Sequence, residues 1–187
     1  MIFDMDGTIF DVPYDWKRIK EDLGTKGMPI LHCLSQLEEP EKSDKWRLLE
    51  KYEEKATQKA TLKQGMKEFL DFLSQKKIKL ALVTNNSRRN VSYLLKKFQL
   101  KFDCVISRED GLWKPSGAPF LAVFEKLGIQ KGDACVIGDS PFDIQAARES
   151  GISQVFILNT DRKRFSNFDV EVFPSVPALR KRVEDLV

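Results

Sequence analysis

Four short groups of polar residues, far apart in the chain, could carry out phosphate chemistry if folding brought them together. They are Asp4, Asp6 and Gly7; Thr84 and Asn85; Lys114; and Asp139 with Asp143. Each group lies just after an apolar stretch or just before an amphipathic one, where a strand ends or a helix begins. Together they would supply several carboxylates, a hydroxyl and a fixed cation to one crevice.

The two aspartates near the start of the chain have the spacing of residues on one face of a strand. In an extended chain, residues two apart point the same way, so Asp4 and Asp6 are both expected to face the crevice. Taken alone, an ordinary Asp-Gly turn explains this stretch equally well.

The other groups suit complementary tasks. The hydroxyl of Thr84 and the backbone N–H groups near Asn85 could hold phosphate oxygens. Lys114 lies in a loop before a predicted helix, where it could act as a fixed cation. Asp139 follows a predicted strand and Asp143 lies just inside the next helix, although an ordinary helix N-terminus also favours aspartate.

A metal ion would resolve the charge problem of such a site. Carboxylates this close together repel, and one of them would take up a proton unless a cation were present. The candidate ligands are oxygen atoms with no histidine or cysteine nearby, which favours Mg²⁺ over zinc. Phosphoryl transfer needs an in-line nucleophile and stabilised equatorial oxygens, and these residue types can supply both.

The elements that must position these residues follow from the hydrophobic pattern. Short apolar stretches predict buried parallel strands at residues 1–3, 80–83, 104–106, 135–137 and 155–158. Apolar residues at three- and four-residue spacing predict helices at residues 66–76, 90–98, 120–127 and 144–149. This alternation indicates an α/β protein with an open, doubly wound, mostly parallel sheet, whose sites lie at the carboxyl ends of the strands.

The segment 12–62 interrupts the alternation. It shows no convincing strand, and its charged pattern predicts helices at residues 16–23, 30–37 and 44–57. We therefore expect residues 1–11 and 63–187 to form the α/β core, with residues 12–62 as a small helical module inserted after the first strand.

In these groups the chain resembles the haloacid dehalogenase superfamily, in its phosphatase branch with a helical cap, and is similar to phosphoglycolate phosphatases. The four motifs occur in order as FDMDGT at residues 3–8, LVTN at 82–85, KP at 114–115 and IGDSPFD at 137–143. The resemblance implies a Rossmann-like core, Mg²⁺ as cofactor and a cap that closes over the crevice. Only three residues precede Asp4, fewer than relatives usually have, so the first strand is expected to be short.

The resemblance also implies a role for each site residue. Asp4 would be the nucleophile that forms an aspartyl phosphate, and Asp6 the acid that protonates the leaving oxygen and then activates water. The residues implied in phosphate binding are Gly7, Thr84, Asn85 and Lys114. Those implied in holding Mg²⁺ are Asp4, Asp139, the carbonyl of Asp6 and, as a ligand or as a support for one, Asp143.

Rival functions use the same scaffold. A sugar phosphomutase would keep Asp6 but usually places a histidine early in the cap, and residues 12–16 contain none. A dehalogenase or phosphonate hydrolase typically lacks the second aspartate, so Asp6 argues against both. A catalytically silent binding module stays open, because a fold alone does not establish activity.

Four residues of the inserted segment could bear on the substrate. Trp16, Lys17 and Arg18 could reach a leaving group, or they could simply belong to a helix that buries Trp16. His32, the only histidine, lies among apolar residues and is expected at a packed or rim position rather than in catalysis.

The amino-acid composition limits which kinds of binding partner and which cellular compartment are expected. The 187 residues include 31 basic and 28 acidic ones, interspersed, which argues against a nucleic-acid surface. The three cysteines lie far apart among apolar residues, which favours a reducing cytoplasm over a disulfide framework. No export signal or membrane anchor is expected. The expected partner is a small phosphorylated metabolite, and both a monomer and a homodimer remain open.

Overall fold

The computed structural model describes residues 1–25 and 27–187. Six strands form one parallel sheet: β1 (Ile2–Phe3), β4 (Ala81–Val83), β5 (Cys104–Ile106), β6 (Cys135–Gly138), β7 (Gln154–Leu158) and β8 (Glu171–Phe173). They are ordered β5-β4-β1-β6-β7-β8 across the sheet. The predicted α/β class with a parallel sheet is therefore confirmed.

Helices cover both faces of the sheet, as the doubly wound prediction requires. They are α4 (Met66–Gln75), α5 (Arg88–Phe98), α6 (Ala118–Leu127), α7 (Pro141–Ser150) and α8 (Val176–Glu184). Apolar residues of α4, α5 and α8 pack on one face in a cluster that includes Phe3, and those of α6 and α7 pack on the other in a cluster that includes Ile2. The inner strands β4, β1, β6 and β7 therefore bury both of their sides, which explains why they are continuous apolar stretches.

The central strand β1 is only two residues long, as its short apolar stretch predicts, yet Ile2 and Phe3 are almost completely buried. The pairing continues past its end, because the N–H of Asp4 donates to the carbonyl of Ile137 at 2.9 Å. The backbone at Asp4 is thus fixed to the neighbouring strand even though the strand itself is short.

The inserted segment forms three helices, α1 (Trp16–Leu23), α2 (Ile30–Ser35) and α3 (Glu41–Gln58), with a hydrophobic cluster of their own around Leu34 and Leu49. The chain enters and leaves this segment through a separate antiparallel ribbon of β2 (Phe10–Asp11) and β3 (Thr61–Leu62). The expectation that residues 12–62 hold no strand is therefore wrong at β3. Two residues are too few to give a detectable alternation.

The other departures lie mainly at element ends. The helix predicted at residues 90–98 begins at Arg88, because the side chain of Ser87 caps it by accepting from the N–H of Asn90. The helices predicted at 44–57 and 144–149 likewise begin three residues earlier, at Glu41 and Pro141. The strand β8 and the helix α8 were not predicted; β8 is a partly exposed edge strand that contains a glutamate.

Two further features bear on the expected compartment. Cys33, Cys104 and Cys135 are all free thiols. Within the described ranges, no helix combines the length and apolar character that crossing a bilayer requires.

Candidate active site

The topology explains how the four polar groups meet. Strands β4, β1 and β6 are neighbours in the sheet, and they run parallel, so their carboxyl ends lie side by side. Thr84, Asp4 and Asp139 each follow one of these ends. Lys114 comes from the loop between β5 and α6, at the same edge of the sheet, and all four residues line one cavity.

Lys114 connects two of the carboxylates. Its Nζ lies 2.5 Å from Oδ1 of Asp4 and 2.7 Å from Oδ1 of Asp143, and its side chain is almost fully buried. A buried ammonium is stable only when it is paired and hydrogen-bonded. Although burial alone lowers the pKa of Lys114, the charges of Asp143 and Asp4 outweigh it and raise the pKa above its usual range. Lys114 is therefore a permanent cation in the site.

Asp143 uses its second oxygen to organise the loop before α7. Its Oδ2 accepts from the N–H of Asp139 at 3.2 Å, from the N–H of Ser140 at 3.1 Å and from the hydroxyl of Ser140 at 2.8 Å. Gly138 leaves room for this arrangement, since a Cβ there would come within 2.4 Å of the Asp143 carboxyl carbon. With both oxygens engaged, Asp143 is better suited to positioning Lys114 and Asp139 than to binding a metal directly.

Three carboxylates lie close enough to share a metal ion. One oxygen from each of Asp4, Asp139 and Asp143 lies within 4.8 Å of the others. Gly7 is part of the same arrangement, because its backbone has φ +86° and a Cβ would lie 2.3 Å from Oδ2 of Asp139. The closely spaced set of oxygen donors fits a hard divalent cation such as Mg²⁺, with Asp4 and Asp139 as the carboxylates that have coordination positions left.

The second aspartate is held by a different partner. Oδ2 of Asp6 accepts from the side-chain amide of Asn86 at 2.9 Å, and the same amide donates to the hydroxyl of Tyr14 at 2.9 Å. The N–H of Asn86 also donates to the hydroxyl of Thr84 at 3.1 Å. Oδ1 of Asp6 is buried and has no hydrogen-bond partner among the described residues. One oxygen of Asp6 is therefore fixed while the other can serve a reacting group.

Asn85 does not offer its side chain to a phosphate. Its Nδ2 donates to the carbonyl of Lys114 at 2.8 Å, and its Oδ1 accepts from the N–H of Lys114 at 2.9 Å. This pair of bonds locks the loop that carries Lys114 onto the end of β4. Only the backbone near Asn85 is therefore suited to the predicted phosphate contact, and the phosphate-binding roles of Gly7, Thr84 and Asn85 stay predictions.

The cavity has a volume of about 450 Å³ and lies between the sheet edge and the inserted helices. Besides the predicted residues, it is lined by Tyr14, Asn86, Glu53, Arg108 and Arg164. Sequence reasoning did not assign a role to any of these five. Glu53 and Arg108 are charged residues on a helix and a loop, for which a solvated surface position is the usual interpretation.

Of the four residues of the inserted segment that could bear on the substrate, only Trp16 lines the cavity. Trp16 is 44% exposed, lines the cavity and packs against Tyr14 with ring centroids 4.4 Å apart. Of the two alternatives, the one in which this helix merely buries Trp16 is therefore wrong. Lys17, Arg18 and His32 are exposed and do not line the cavity.

Burial and mutual repulsion strongly raise the pKa values of three carboxyl groups in the site. Burial, opposed by Lys114 and assisted by Asp143, raises the pKa of Asp4 to about 6. Burial and the charge of Asp4 raise the pKa of Asp6 to about 7 and that of Asp139 to about 8. Without a metal ion, these carboxyl groups therefore hold protons at a pH where ordinary aspartates are ionised.

These shifts predict how the stability of the metal-free protein depends on pH. The folded state holds protons that the unfolded chain releases near pKa 3.8, so the free energy of unfolding falls as pH rises from about 4 to about 8. Mg²⁺ favours the ionised carboxylates, so the increase in Tm that it causes should be larger at about pH 8 than at about pH 5. Thermal unfolding with Mg²⁺ and with EDTA at both pH values measures this. An equal Mg²⁺ effect at both would contradict it.

Comparisons with known proteins agree with this geometry. The family model described as "Haloacid dehalogenase-like hydrolase" matches residues 1–157. The crystal structure of a hydrolase from Pseudomonas syringae superposes with a TM-score of 0.81, covers 100% of this chain and 98% of its own, and is 22% identical. That likeness shows the fold.

Two similar proteins carry phosphatase names. A phosphorylated carbohydrates phosphatase from Thermotoga maritima is 28% identical over 181 residues, which cover 83% of each chain. A phosphoglycolate phosphatase from Chromobacterium violaceum is 26% identical over 183 residues, or 83% of this chain and 82% of that one. The family predicted from the four motifs is thus confirmed: the chain is an enzyme that belongs to the haloacid dehalogenase-like hydrolases, among relatives named as phosphatases.

Proposed function

We propose that the protein is a Mg²⁺-dependent phosphatase that hydrolyses a small phosphate monoester through an aspartyl phosphate on Asp4. The observation that carries this proposal is the meeting of Asp4, Lys114, Asp139 and Thr84 around one cavity, with Lys114 Nζ 2.5 Å from the Asp4 carboxylate. A nucleophile, a cation and a hydroxyl that converge in this way suit attack on phosphorus and stabilisation of its oxygens.

In the first step, an oxygen of Asp4 attacks phosphorus and the ester bond to the leaving oxygen breaks. Asp6 gives its proton to that oxygen, so the leaving group departs as a neutral alcohol. Two properties suit Asp6 for this task. Its pKa is raised to about 7 by burial and by Asp4, and its Oδ1 is unpartnered while Asn86 fixes Oδ2.

In the second step, the ionised Asp6 takes a proton from water, and the oxygen of that water attacks the phosphorus of the aspartyl phosphate. The bond from phosphorus to Asp4 breaks, which releases inorganic phosphate and regenerates the carboxylate. Lys114 and Thr84 contact the phosphoryl oxygens throughout. Bound Mg²⁺ would supply positive charge against the phosphoryl oxygens, held by Asp4, Asp139 and the carbonyl of Asp6.

We further propose that residues 12–62 act as a cap over the core formed by residues 1–11 and 63–187. Three observations support this: the segment has its own hydrophobic cluster, it joins the core through the β2–β3 ribbon, and it supplies Trp16 and Glu53 to the cavity. A cap of this kind excludes water and contacts the leaving group. The substrate of the enzyme would be a small phosphorylated metabolite, in keeping with the names of the relatives. We place this activity in the cytoplasm, in keeping with the three free cysteines.

The proposal is tested by measuring phosphate release from para-nitrophenyl phosphate. We expect turnover with Mg²⁺, loss of turnover with EDTA, and recovery when Mg²⁺ is added in excess. A phosphomutase would instead convert a hexose 1-phosphate to the 6-phosphate with little free phosphate. Turnover that persists in EDTA would contradict the metal dependence, and no turnover with Mg²⁺ would favour a binding module.

A further inference from the structure

Glu53 and Arg108 form a buried ion pair between the inserted helices and the sheet. Glu53 lies on α3, and Arg108 begins a short 3₁₀ helix, Arg108–Asp110, after β5. Oε1 of Glu53 accepts from Nη2 of Arg108, and the two side chains are only 6% and 7% exposed. Residues so far apart in the sequence that bury opposite charges at one cavity need a physical reason, because desolvating both is costly.

Each member of the pair keeps one polar atom without a partner. Oε2 of Glu53 and Nη1 of Arg108 are buried and have no hydrogen-bond partner in the part of the chain that the structure describes. Leaving such an atom unsatisfied is unfavourable, because the atom gives up its hydrogen bonds to water and gains none in return. Both residues line the cavity, as does Asp6, whose Oδ1 is also unpartnered. A ligand bound against this wall, near Asp6, could supply the two missing hydrogen bonds, one to the acceptor of Glu53 and one from the donor of Arg108.

The pair and Asp6 belong to the same wall of the cavity. Arg108 is hydrogen-bonded to the carbonyl of Asn85, and the side chain of the next residue, Asn86, donates to Asp6, the proposed proton donor. Arg108 is fixed on both sides: its Nε donates to the carbonyl of Asn85 at 3.1 Å, and its guanidinium lies 5.3 Å from the ring centre of Trp46. A group held this rigidly can discriminate between ligands.

We propose that Glu53 and Arg108 select the leaving group, and that they select an uncharged, polyhydroxylated one, as in a phosphorylated polyol or sugar. This inference rests on the proposed phosphatase function. Neighbouring hydroxyls can donate to Oε2 of Glu53 and accept from Nη1 of Arg108 at the same time. The apolar side chains of Trp16, Leu31 and Leu49, which also line the cavity, suit the C–H face of such a molecule.

Charged leaving groups fit this wall poorly. A carboxylate, as in phosphoglycolate, would bring a further negative charge to a wall where Arg108 is already paired with Glu53, so no free cation would offset the cost of desolvating it. A zwitterion, as in phosphoserine, would bury two further charges against partners that already neutralise each other, and the attraction gained would not offset the cost of desolvation. Uncharged hydroxyls fill the same hydrogen bonds without that cost.

The test compares kcat/KM for glycerol 1-phosphate, a hexose 6-phosphate, 2-phosphoglycolate and phosphoserine, with para-nitrophenyl phosphate as a reference for the chemistry. We expect at least one polyol or sugar phosphate to exceed both charged substrates by about 10-fold or more. If para-nitrophenyl phosphate turns over but a charged substrate is preferred, this inference is overturned and the phosphatase proposal stands. If nothing turns over, the phosphatase proposal fails, and this inference fails with it.

Substitution of Glu53 gives an independent readout. Glu53→Gln replaces one acceptor oxygen by an N–H donor, so the ratio of kcat/KM between polyol phosphate and phosphoglycolate should fall about 10-fold. Glu54→Gln is the matched control, because Glu54 is 43% exposed and pairs with Arg89 at the surface. An equal ratio in the wild type and Glu53→Gln would overturn the inference. If Glu53→Gln fails to fold, the comparison of kcat/KM among the substrates of the wild-type enzyme tests the inference by itself.

Discussion

Asp4→Asn should reduce phosphate release by roughly 10⁴- to 10⁶-fold, the loss that follows when the nucleophile of a catalytic set is removed. An amide carries no charge and is a poor nucleophile, so the aspartyl phosphate cannot form. The fold should survive, since the amide oxygen can still accept from Lys114, which remains paired with Asp143. In metal-free buffer near neutral pH, the variant should be at least as stable as the wild type, because one of three mutually repelling carboxylates is gone.

The control for this variant is Asp71→Asn, the same substitution on the exposed surface of α4. It should leave both turnover and Tm close to wild type. Initial rates with para-nitrophenyl phosphate and thermal unfolding measure the two properties. Asp4→Asn protein that folds and still turns over at a rate within about 10-fold of the wild type would show that another residue is the nucleophile.

Lys114→Met should lose both activity and stability. The substitution leaves the buried carboxylates of Asp4 and Asp143 without their cation, and breaking a buried pair by removing one partner costs about 3–5 kcal/mol. The loss should be largest at about pH 8 in metal-free buffer and smaller at about pH 5, where Asp4, whose pKa burial raises to about 6, is protonated and uncharged. Turnover should fall by about 10²- to 10³-fold, as for loss of a group that stabilises transition-state charge.

Two further variants test whether the lost stability of Lys114→Met comes from the broken ion pairs. Lys126→Met removes an exposed lysine whose Nζ lies 3.9 Å from Asp110, and it should change the free energy of unfolding by less than about 1 kcal/mol. The double variant Lys114→Met with Asp4→Asn should regain part of the lost stability, because one uncompensated carboxylate is removed, and it should remain inactive. Denaturant unfolding of the single and double variants measures the coupling; strictly additive losses would contradict the ion-pair account.

The chemistry of the site could be predicted from sequence because it depends on local signals. Asp4, Thr84 and Asp139 each follow an apolar strand, and parallel strands place their carboxyl ends at one edge of the sheet. This placement could be predicted without knowing the residue-by-residue pairing of the strands. The strand at Ile2–Phe3 was expected to be short, and its burial on both faces compensates for its length.

What could not be predicted depends on contacts between distant segments. Glu53 and Arg108 are 55 positions apart, and nothing in either local pattern marks them as a buried pair. The helix α8 did carry a signal, since Val176, Leu179 and Val183 recur at helical spacing and are buried. The backbone near Asn85 was predicted to contact phosphate, but the binding of the Asn85 side chain to the backbone of Lys114 was not predicted. An amide in a polar turn gives no sequence signal that marks such a contact.

The central claim is that Asp4 becomes covalently phosphorylated, and chemical trapping tests it most directly. The protein is mixed with Mg²⁺ and a phosphate ester that it hydrolyses, and the reaction is quenched with borohydride. Borohydride reduces an acyl phosphate to an alcohol, so it converts an aspartyl phosphate to homoserine. Mass spectrometry of the proteolytic peptides that contain positions 4, 6, 139 and 143 then locates the product. We predict homoserine at position 4, dependent on substrate and on Mg²⁺. Homoserine at position 6, 139 or 143, or none at all while turnover proceeds, would contradict the account.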